Sequence, residues 1–321
     1  MKKHLALSIT LCVLLTLTSC RYRLHERPLI PGIRPSQDVE TTATIDEPET
    51  QSVEQETQDD VWQQENESNN IFEEETEETE QDAEALESSD ENPTPQMIMP
   101  ERLNDRPEQI LRRAGYVTSY NKETRAPNWT AWRLFGNHTN GQWKRKGVKY
   151  HEDEDVGYPK ATNSDFYGSG YDRGHMCPSG DNKWDRQAQE DCFLFTNMCL
   201  QNHALNGGDW NDLEIKCRKW AEKYGDILIV CGPIFSEKPY KTKGKNKVAI
   251  PDAFFKVVVC LNGTPKGIGF YYPNEDGHQS MSSYATSIDE IEDITGIDFF
   301  ASLPDNIEKN VEKQCNFNDW R

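Results

Sequence analysis

Between residues 31 and 100 the chain carries 22 acidic side chains and a single basic one, Arg34, for a formal charge of −21. Large apolar side chains are sparse there and Glu, Gln, Thr and Ser dominate. The surface such a segment could bury does not offset the entropy lost on ordering it. Residues 21–100 are therefore expected to form a disordered acidic tether, and whatever folds must come from residues 101–321. Those hold 32 acidic and 29 basic groups, formally −3, so the net −20 of the whole chain belongs to the tether. A chain at −20 is a poor partner for phosphate, but a near-neutral domain can still present a local basic patch. Lys144, Arg145, Lys146 and Lys149 form one candidate patch. Lys241, Lys243, Lys245 and Lys247 form a second, which reads equally well as a solvated loop. As a flexible linker of about 80 residues, the tether reaches roughly 45–55 Å, enough to hold a domain clear of a membrane.

What precedes the tether points to such a membrane. Lys2, Lys3 and His4 stand ahead of an apolar run at residues 5–17, the layout of an export signal and too short to span a bilayer. The run ends Leu17-Thr18-Ser19-Cys20, which resembles a bacterial lipobox. The resemblance implies that Cys20 is lipidated and becomes the new N-terminus. Arg21, standing where a retention aspartate would, points to the outer membrane.

Chemistry concentrates between residues 160 and 218. The segment contains Asp172-Arg173-Gly174-His175, then Thr196-Asn197, then Asn206, Glu214 and Arg218. Trp210, Leu213, Cys217, Trp220, Ala221 and Tyr224 recur at helical spacing, with Asp209 as N-cap and Gly225 as stop. On a continuous helix, Asn206, Trp210, Glu214 and Arg218 would form one ridge. The apolar run at residues 192–195 reads as a short strand. Phosphodiester hydrolysis needs a base to activate water, a hard cation to neutralise developing charge and arginine to hold phosphate. His175 supplies a base that titrates near neutrality, and Asn206 and Glu214 supply oxygens suited to Mg²⁺. Taken alone, Glu214 and Arg218 would be an ordinary helix salt bridge worth about 0.2–0.5 kcal/mol. Asp172 reads as a structural hydrogen-bonding group.

These residues and their joint spacing resemble the DNA/RNA non-specific endonucleases of the ββα-metal fold, similar to mitochondrial endonuclease G and secreted bacterial sugar-non-specific nucleases. The resemblance runs from about residue 120 to about residue 317. It implies that His175 is the general base, that Asn206 is the direct Mg²⁺ ligand, with Mn²⁺ as a substitute, and that Glu214 holds the metal's waters. It further implies that Arg173 and Arg218 lie near the scissile phosphate, that Asn197 supports the site, and that Arg145 matches a phosphate-binding arginine. Leu200 stands where family members usually carry proline, which bears on loop geometry and leaves the chemical groups intact.

The rest of the domain reads as short strands at residues 116–120, 129–134, 227–231, 253–261 and 267–272, separated by Gly, Pro and Asn. A helix capped by Ser287 and Glu290 follows, with room for another after Pro304. Seven cysteines remain once Cys12 and Cys20 are set aside: 177, 192, 199, 217, 231, 260 and 315. No CxxC pair is present, which argues against structural zinc, and Cys217 and Cys231 read equally as small buried hydrophobes.

The expectation is an α+β protein of the ββα-metal nuclease fold, with a central, mostly antiparallel sheet flanked by helices. Its layout would be a lipoprotein signal peptide at 1–20, an acidic disordered tether at 21–100 and an endonuclease domain at 101–321. The expected activity is that of an exported, outer-membrane-anchored, Mg²⁺-dependent endonuclease acting on DNA and RNA. Two alternatives stand beside it: a phosphodiesterase acting on smaller nucleotides, and a non-catalytic surface lipoprotein that binds nucleic acid.

Overall fold

The computed structural model describes residues 98–236 and 238–321. The expected signal, Cys20 and nearly all of the tether lie outside the described residues. In chain order the strands are β1 (Gln109–Arg112), β2 (Val117–Asn121), β3 (Ala126–Phe135), β4 (Asp172–His175), β5 (Met198–Gln201) and β6 (Asp226–Ile234). They continue with β7 (Thr242–Lys243), β8 (Val248–Ala249), β9 (Ala253–Cys260), β10 (Lys266–Pro273) and β11 (Ala285–Thr286). The helices are α1 (Asn163–Phe166), α2 (Arg186–Asp191), α3 (His203–Gly207), α4 (Asp209–Tyr224), α5 (Ile288–Thr295) and α6 (Asp305–Glu312). Seven strands form one sheet in the order β1-β2-β3-β6-β9-β10-β11, and every pairing is antiparallel. Strands β4 and β5 form a separate antiparallel pair, as do β7 and β8. The α+β architecture with a central antiparallel sheet flanked by helices is the one the sequence implies.

Strand periodicity explains the layering. Along β9 every residue is buried, because helices cover both faces of the sheet. Phe254, Val258 and Cys260 join one core, with Trp132 of β3, Ile229 of β6 and Trp210, Leu213 and Trp220 of α4. Phe255, Val257 and Val259 join the other, with Trp129, Val230, Ile288 and Ile291 of α5 and Val311 of α6. This parity puts Lys256 on the α4 face, although its neighbours in sequence are apolar. The helices α5 and α6 approach β10 closely because it carries glycine there. A Cβ on Gly267 would lie 2.3 Å from the Val311 carbonyl oxygen, and one on Gly269 would lie 2.6 Å from that of Ser287.

Most strand expectations agree with the structure to within three residues at either end. Ser287 caps α5 by accepting the Glu290 N–H at 3.1 Å, and Gly225 ends α4 at φ 92°. Four expectations differ. Residues 192–195 form no strand: Cys192 ends α2, and residues 195–197 make a 3₁₀ turn leading into β5. An apolar run of that length signals burial without fixing conformation, and all four residues are buried. The helix expected through Asn206 and Arg218 is broken at Gly208 into α3 and α4, so there is no single ridge. Asp209 is not a cap; its carboxylate binds His278, the Gln279 N–H and the Tyr284 hydroxyl. Finally, Ile98 is fully buried in the core, so the folded body includes residues ahead of the expected boundary at 101.

Candidate active site

The β4–β5 pair sets the position of His175. Backbone pairing aligns His175 with Met198 and Asp172 with Gln201. Past the strand, the Met176 N–H donates to the Asn197 carbonyl at 3.0 Å. Asn197 itself is fully buried, and its amide is wholly committed to backbone. Its Oδ1 accepts from the Cys177 N–H, and its Nδ2 donates to the carbonyls of Cys177 and Cys192, all at 2.9 Å. Asn197 therefore locks the chain just after His175 and has no group left for a substrate. Its place is in the support of the site, not among the residues that touch the reacting atoms.

The His175 ring sits between Tyr150, at a centroid distance of 5.8 Å, and Phe193, at 5.2 Å and edge-on. Its Nε2 is buried and has no hydrogen-bond partner. An orphaned buried nitrogen typically costs about 1–3 kcal/mol. Burial, reinforced by the Arg145 guanidinium, lowers the His175 pKa to about 3. The expectation of titration near neutrality is thereby corrected: a charged imidazolium is disfavoured among apolar rings and beside an arginine. The ring is thereby held in its neutral form, with no proton to lose before it can act.

Tyr150 ties the surrounding cations together, and sequence reading missed it. Arg173 stacks over its ring at 5.1 Å, and Arg145 Nη2 donates to its hydroxyl at 3.3 Å. The Arg173 guanidinium also donates to Asn163 Oδ1 through Nε at 3.1 Å and Nη2 at 2.8 Å. Arg145 thus lies close enough to His175 to bias its charge. Aromatic residues between two clusters of functional groups would have been the signal for Tyr150, but Tyr150 looks like any core residue in sequence.

Asn206 lies near the end of α3 and is held from behind. Its Nδ2 donates to Asp172 Oδ2 at 3.0 Å, and the same oxygen receives His203 Nδ1 at 2.9 Å. His203 is the first residue of α3, which Asn202 caps through Oδ1. With Nδ2 committed, the amide presents Oδ1, an oxygen donor of the kind a hard cation takes.

The second half of the site rises from α4. Arg218 Nη1 donates to Asp181 Oδ1 at 3.0 Å, and the Trp132 indole N–H donates to Asp181 Oδ2 at 3.1 Å. Beneath them Lys256 is fully buried; its Nζ has no hydrogen-bond partner and lies 4.3 Å from the Trp210 ring centroid. Burial works to lower the Lys256 pKa, but Cys231, Glu214, Cys217 and Asp181 outweigh it and leave the ammonium charged. Glu214 is pushed up to about 7 by burial, against the pull of Lys256 and Arg218. No lysine or arginine among the described residues is within ion-pairing distance of Glu214, since Arg218 is engaged by Asp181. The helical Glu214–Arg218 salt bridge is therefore absent, and Glu214 remains an oxygen donor. Asp181 and Lys256 are the other residues that sequence reading passed over. A lysine within the run 253–260 was the available signal.

Asn206 Oδ1 and the Glu214 carboxylate are oxygen donors of the kind a hard divalent cation takes. The family model described as DNA/RNA non-specific endonuclease matches residues 96–306. Over 209 residues the chain is 31% identical to "Endonuclease G, mitochondrial" of Bos taurus, covering 61% of this chain and 70% of that protein. It is 34% identical over 206 residues to "Nuclease EXOG, mitochondrial" of Danio rerio, covering 59% of this chain and 60% of that one. It is 31% identical over 211 residues to "Nuclease" of Nostoc sp., covering 62% of this chain and 76% of that protein. The chain thus spans about three fifths of the EXOG relative and more of the other two. A solved structure of the EndoG/EndoGI complex, described in terms of EndoG inhibition, matches with a TM-score of 0.57 and 26% identity. That match covers 61% of this chain and 87% of the other.

Proposed function

This chain belongs to the DNA/RNA non-specific endonuclease family, and from that premise we propose that it hydrolyses phosphodiester bonds of DNA and RNA, with His175 as general base. The observation that carries the reading is the buried, unpartnered Nε2 of a histidine held neutral. Members of this family act with a divalent metal; here the cation would be Mg²⁺, held by Asn206 Oδ1 with Glu214 beside it. When bound, it supplies positive charge where the phosphate oxygens gain negative charge.

The chain's own groups do the rest. Nε2 of His175 accepts a proton from water as the water oxygen attacks phosphorus opposite the leaving oxygen. Phe193 and Tyr150 keep the ring from turning. Arg145, Arg173 and Arg218 offer guanidinium groups for the non-bridging oxygens, positioned by Tyr150, Asn163 and Asp181 respectively. Contacts of this kind address the phosphate and sugar chain, so cleavage should depend little on base sequence. Beside Asn163, a cleft of 470 Å³ is lined by Tyr158, Ser164, Lys245 and Asn246 among others, and offers room for flanking nucleotides.

Export and anchoring through lipidated Cys20 at the outer membrane, with residues 21–100 as the tether, complete the proposal and are supported by the sequence pattern. The test of activity is incubation of the full chain with supercoiled plasmid and with RNA, in Mg²⁺ and in chelator. Cleavage of both polymers in Mg²⁺ alone supports the reading. Cleavage in chelator, or of small nucleotide diesters only, overturns it.

A further inference from the structure

The second lysine cluster, at residues 241–247, lies on the hairpin of β7 and β8, and the tip of that hairpin is fastened to α1. Buried Asp165 accepts from the Asn246 N–H at 2.9 Å and from Asn246 Nδ2 at 2.8 Å, while it also accepts from the N–H and hydroxyl of Thr162. So close an approach requires glycine at 244, where φ is 71° and a Cβ would lie 2.2 Å from Asp165 Oδ1. On its other strand, Arg125 Nη1 donates to the Lys247 carbonyl at 3.1 Å, and the Ala249 N–H donates to the Thr124 carbonyl at 2.9 Å. A merely solvated loop needs no such anchors. They hold Lys245 and Asn246 in the wall of the 470 Å³ cleft, which Tyr158 and Asn163 also line.

Asn163 joins this cleft to the active site, because the same amide oxygen that belongs to the wall accepts both donors of Arg173. Tyr158 is 71% exposed, yet its pose is set. Its hydroxyl donates to Glu152, and the buried Lys160 ammonium lies 4.9 Å from the ring centroid. Glu152 also lines the cleft, but Lys160 pairs with it at 3.4 Å and offsets its charge. A fixed aromatic ring open to solvent, in one wall with a lysine, is the pairing that takes an unpaired nucleotide: the ring stacks on the base and the ammonium meets the phosphate.

Given the nuclease function proposed above, on which this rests, we propose that the cleft is a subsite for a nucleotide flanking the scissile bond. Lys245 neutralises its phosphate and Tyr158 stacks on its base. Bases within a duplex are already stacked on one another, so the subsite favours single-stranded DNA or RNA.

The test is fluorescence anisotropy of a labelled single strand of about 12 nucleotides, titrated in chelator at several salt concentrations with the full chain. Wild type is compared with Lys245→Gln, Tyr158→Leu and Lys241→Gln; Lys241 is on the same hairpin but does not line the cleft. All three side chains are exposed, so folding is not at stake. Tyr158→Leu should weaken single-strand binding roughly tenfold with its salt slope unchanged, and weaken duplex binding by less than about twofold. Lys245→Gln should lower the salt slope by about 0.7, as expected for one lost phosphate contact on a single strand, and Lys241→Gln should lower it less. In Mg²⁺, Lys245→Gln and Tyr158→Leu should raise KM for the same strand and leave kcat within about twofold. Equal effects of Lys241→Gln and Lys245→Gln would reduce the cluster to diffuse charge, and wild-type affinity in Tyr158→Leu would remove the stacking. Either result overturns the subsite. Binding is read without turnover, so it decides the subsite separately from the nuclease reading, whose failure shows as a wild type inactive in Mg²⁺.

Discussion

Asn206 donates its side-chain N–H to Asp172 across 3.0 Å, so an aspartate three residues before His175 decides which end of the Asn206 amide faces the metal position. One carboxylate thereby couples the strand that carries the base to the short helix that carries the proposed ligand. Partners of this kind typically change metal affinity by 10–100-fold when removed. Asp172→Ala should therefore raise the Mg²⁺ concentration needed for half-maximal cleavage by roughly that factor, with much of the rate recovered at saturating Mg²⁺. A titration of cleavage rate against Mg²⁺ decides it; an unchanged midpoint contradicts the orienting role.

Lys256 is a charge buried without a hydrogen bond, near enough to Glu214 and Asp181 to feel their fields. Its ammonium helps keep Glu214 ionised, against burial that holds that group up at about 7. Lys256→Met keeps the bulk and removes the charge. The acid limb of the pH–rate profile should then move to higher pH, because Glu214 holds its proton longer. The variant should still fold, as a methionine of similar volume suits the apolar ring of Trp132 and Trp210. An unshifted limb with full activity would show that Lys256 only fills space.

How much of this was legible in the sequence follows from what kind of signal each residue leaves. His175, Asn206, Glu214 and Arg218 stood out because their chemical types recur at fixed separations, and the broad strands 226–234 and 253–260 stood out because β-rich apolar runs ended at Gly, Pro or Asn. Tyr150 and Asp181 left no such trace, since their roles arise from tertiary neighbours far away in sequence. The break at Gly208 was hidden for a different reason. Helical spacing continues across it, while a Cβ at that position would come within 2.6 Å of the Ala204 carbonyl oxygen, a clash visible only in three dimensions. The run 192–195 was misread because burial and β-structure produce the same apolar pattern.

Asn197 holds three backbone groups that would otherwise be buried and unpaired. Each such group costs about 1–3 kcal/mol when orphaned. Taking the low end, about 1 kcal/mol per group, Asn197→Ala should lower Tm by at least roughly 6–12 °C, at about 2–4 °C per kcal/mol for a domain of this size. Its Mg²⁺ midpoint should stay near that of wild type. A calorimetric scan beside the Mg²⁺ titration separates the two roles; loss of metal response at an unchanged Tm would make Asn197 a functional ligand.

Stability should carry the signature of His175. Its folded pKa, about 3, lies below the unfolded value of about 6.5. Between those values the unfolded chain binds a proton that the folded chain refuses, so the contribution is present above about pH 6.5 and is lost as pH falls toward 3. Glu214, Glu292 and Glu312 act in the opposite sense, because their folded values are raised to about 7, about 7 and about 8. Comparing variants cancels those common terms. The Tm of wild type minus that of His175→Ala should fall steadily from pH 6.5 to pH 4; a constant difference contradicts the neutral, buried assignment.

The most direct measurement is nicking of supercoiled plasmid in Mg²⁺ by wild type and His175→Ala, with Mg²⁺ binding and DNA binding measured on the same preparations. Loss of a positioned base costs about 10²–10⁴ in rate. His175→Ala should show a loss in that range with metal and DNA affinity retained, because Asn206, Glu214 and the arginines remain in place. Nicking within tenfold of wild type, with both affinities intact, would contradict His175 as the general base.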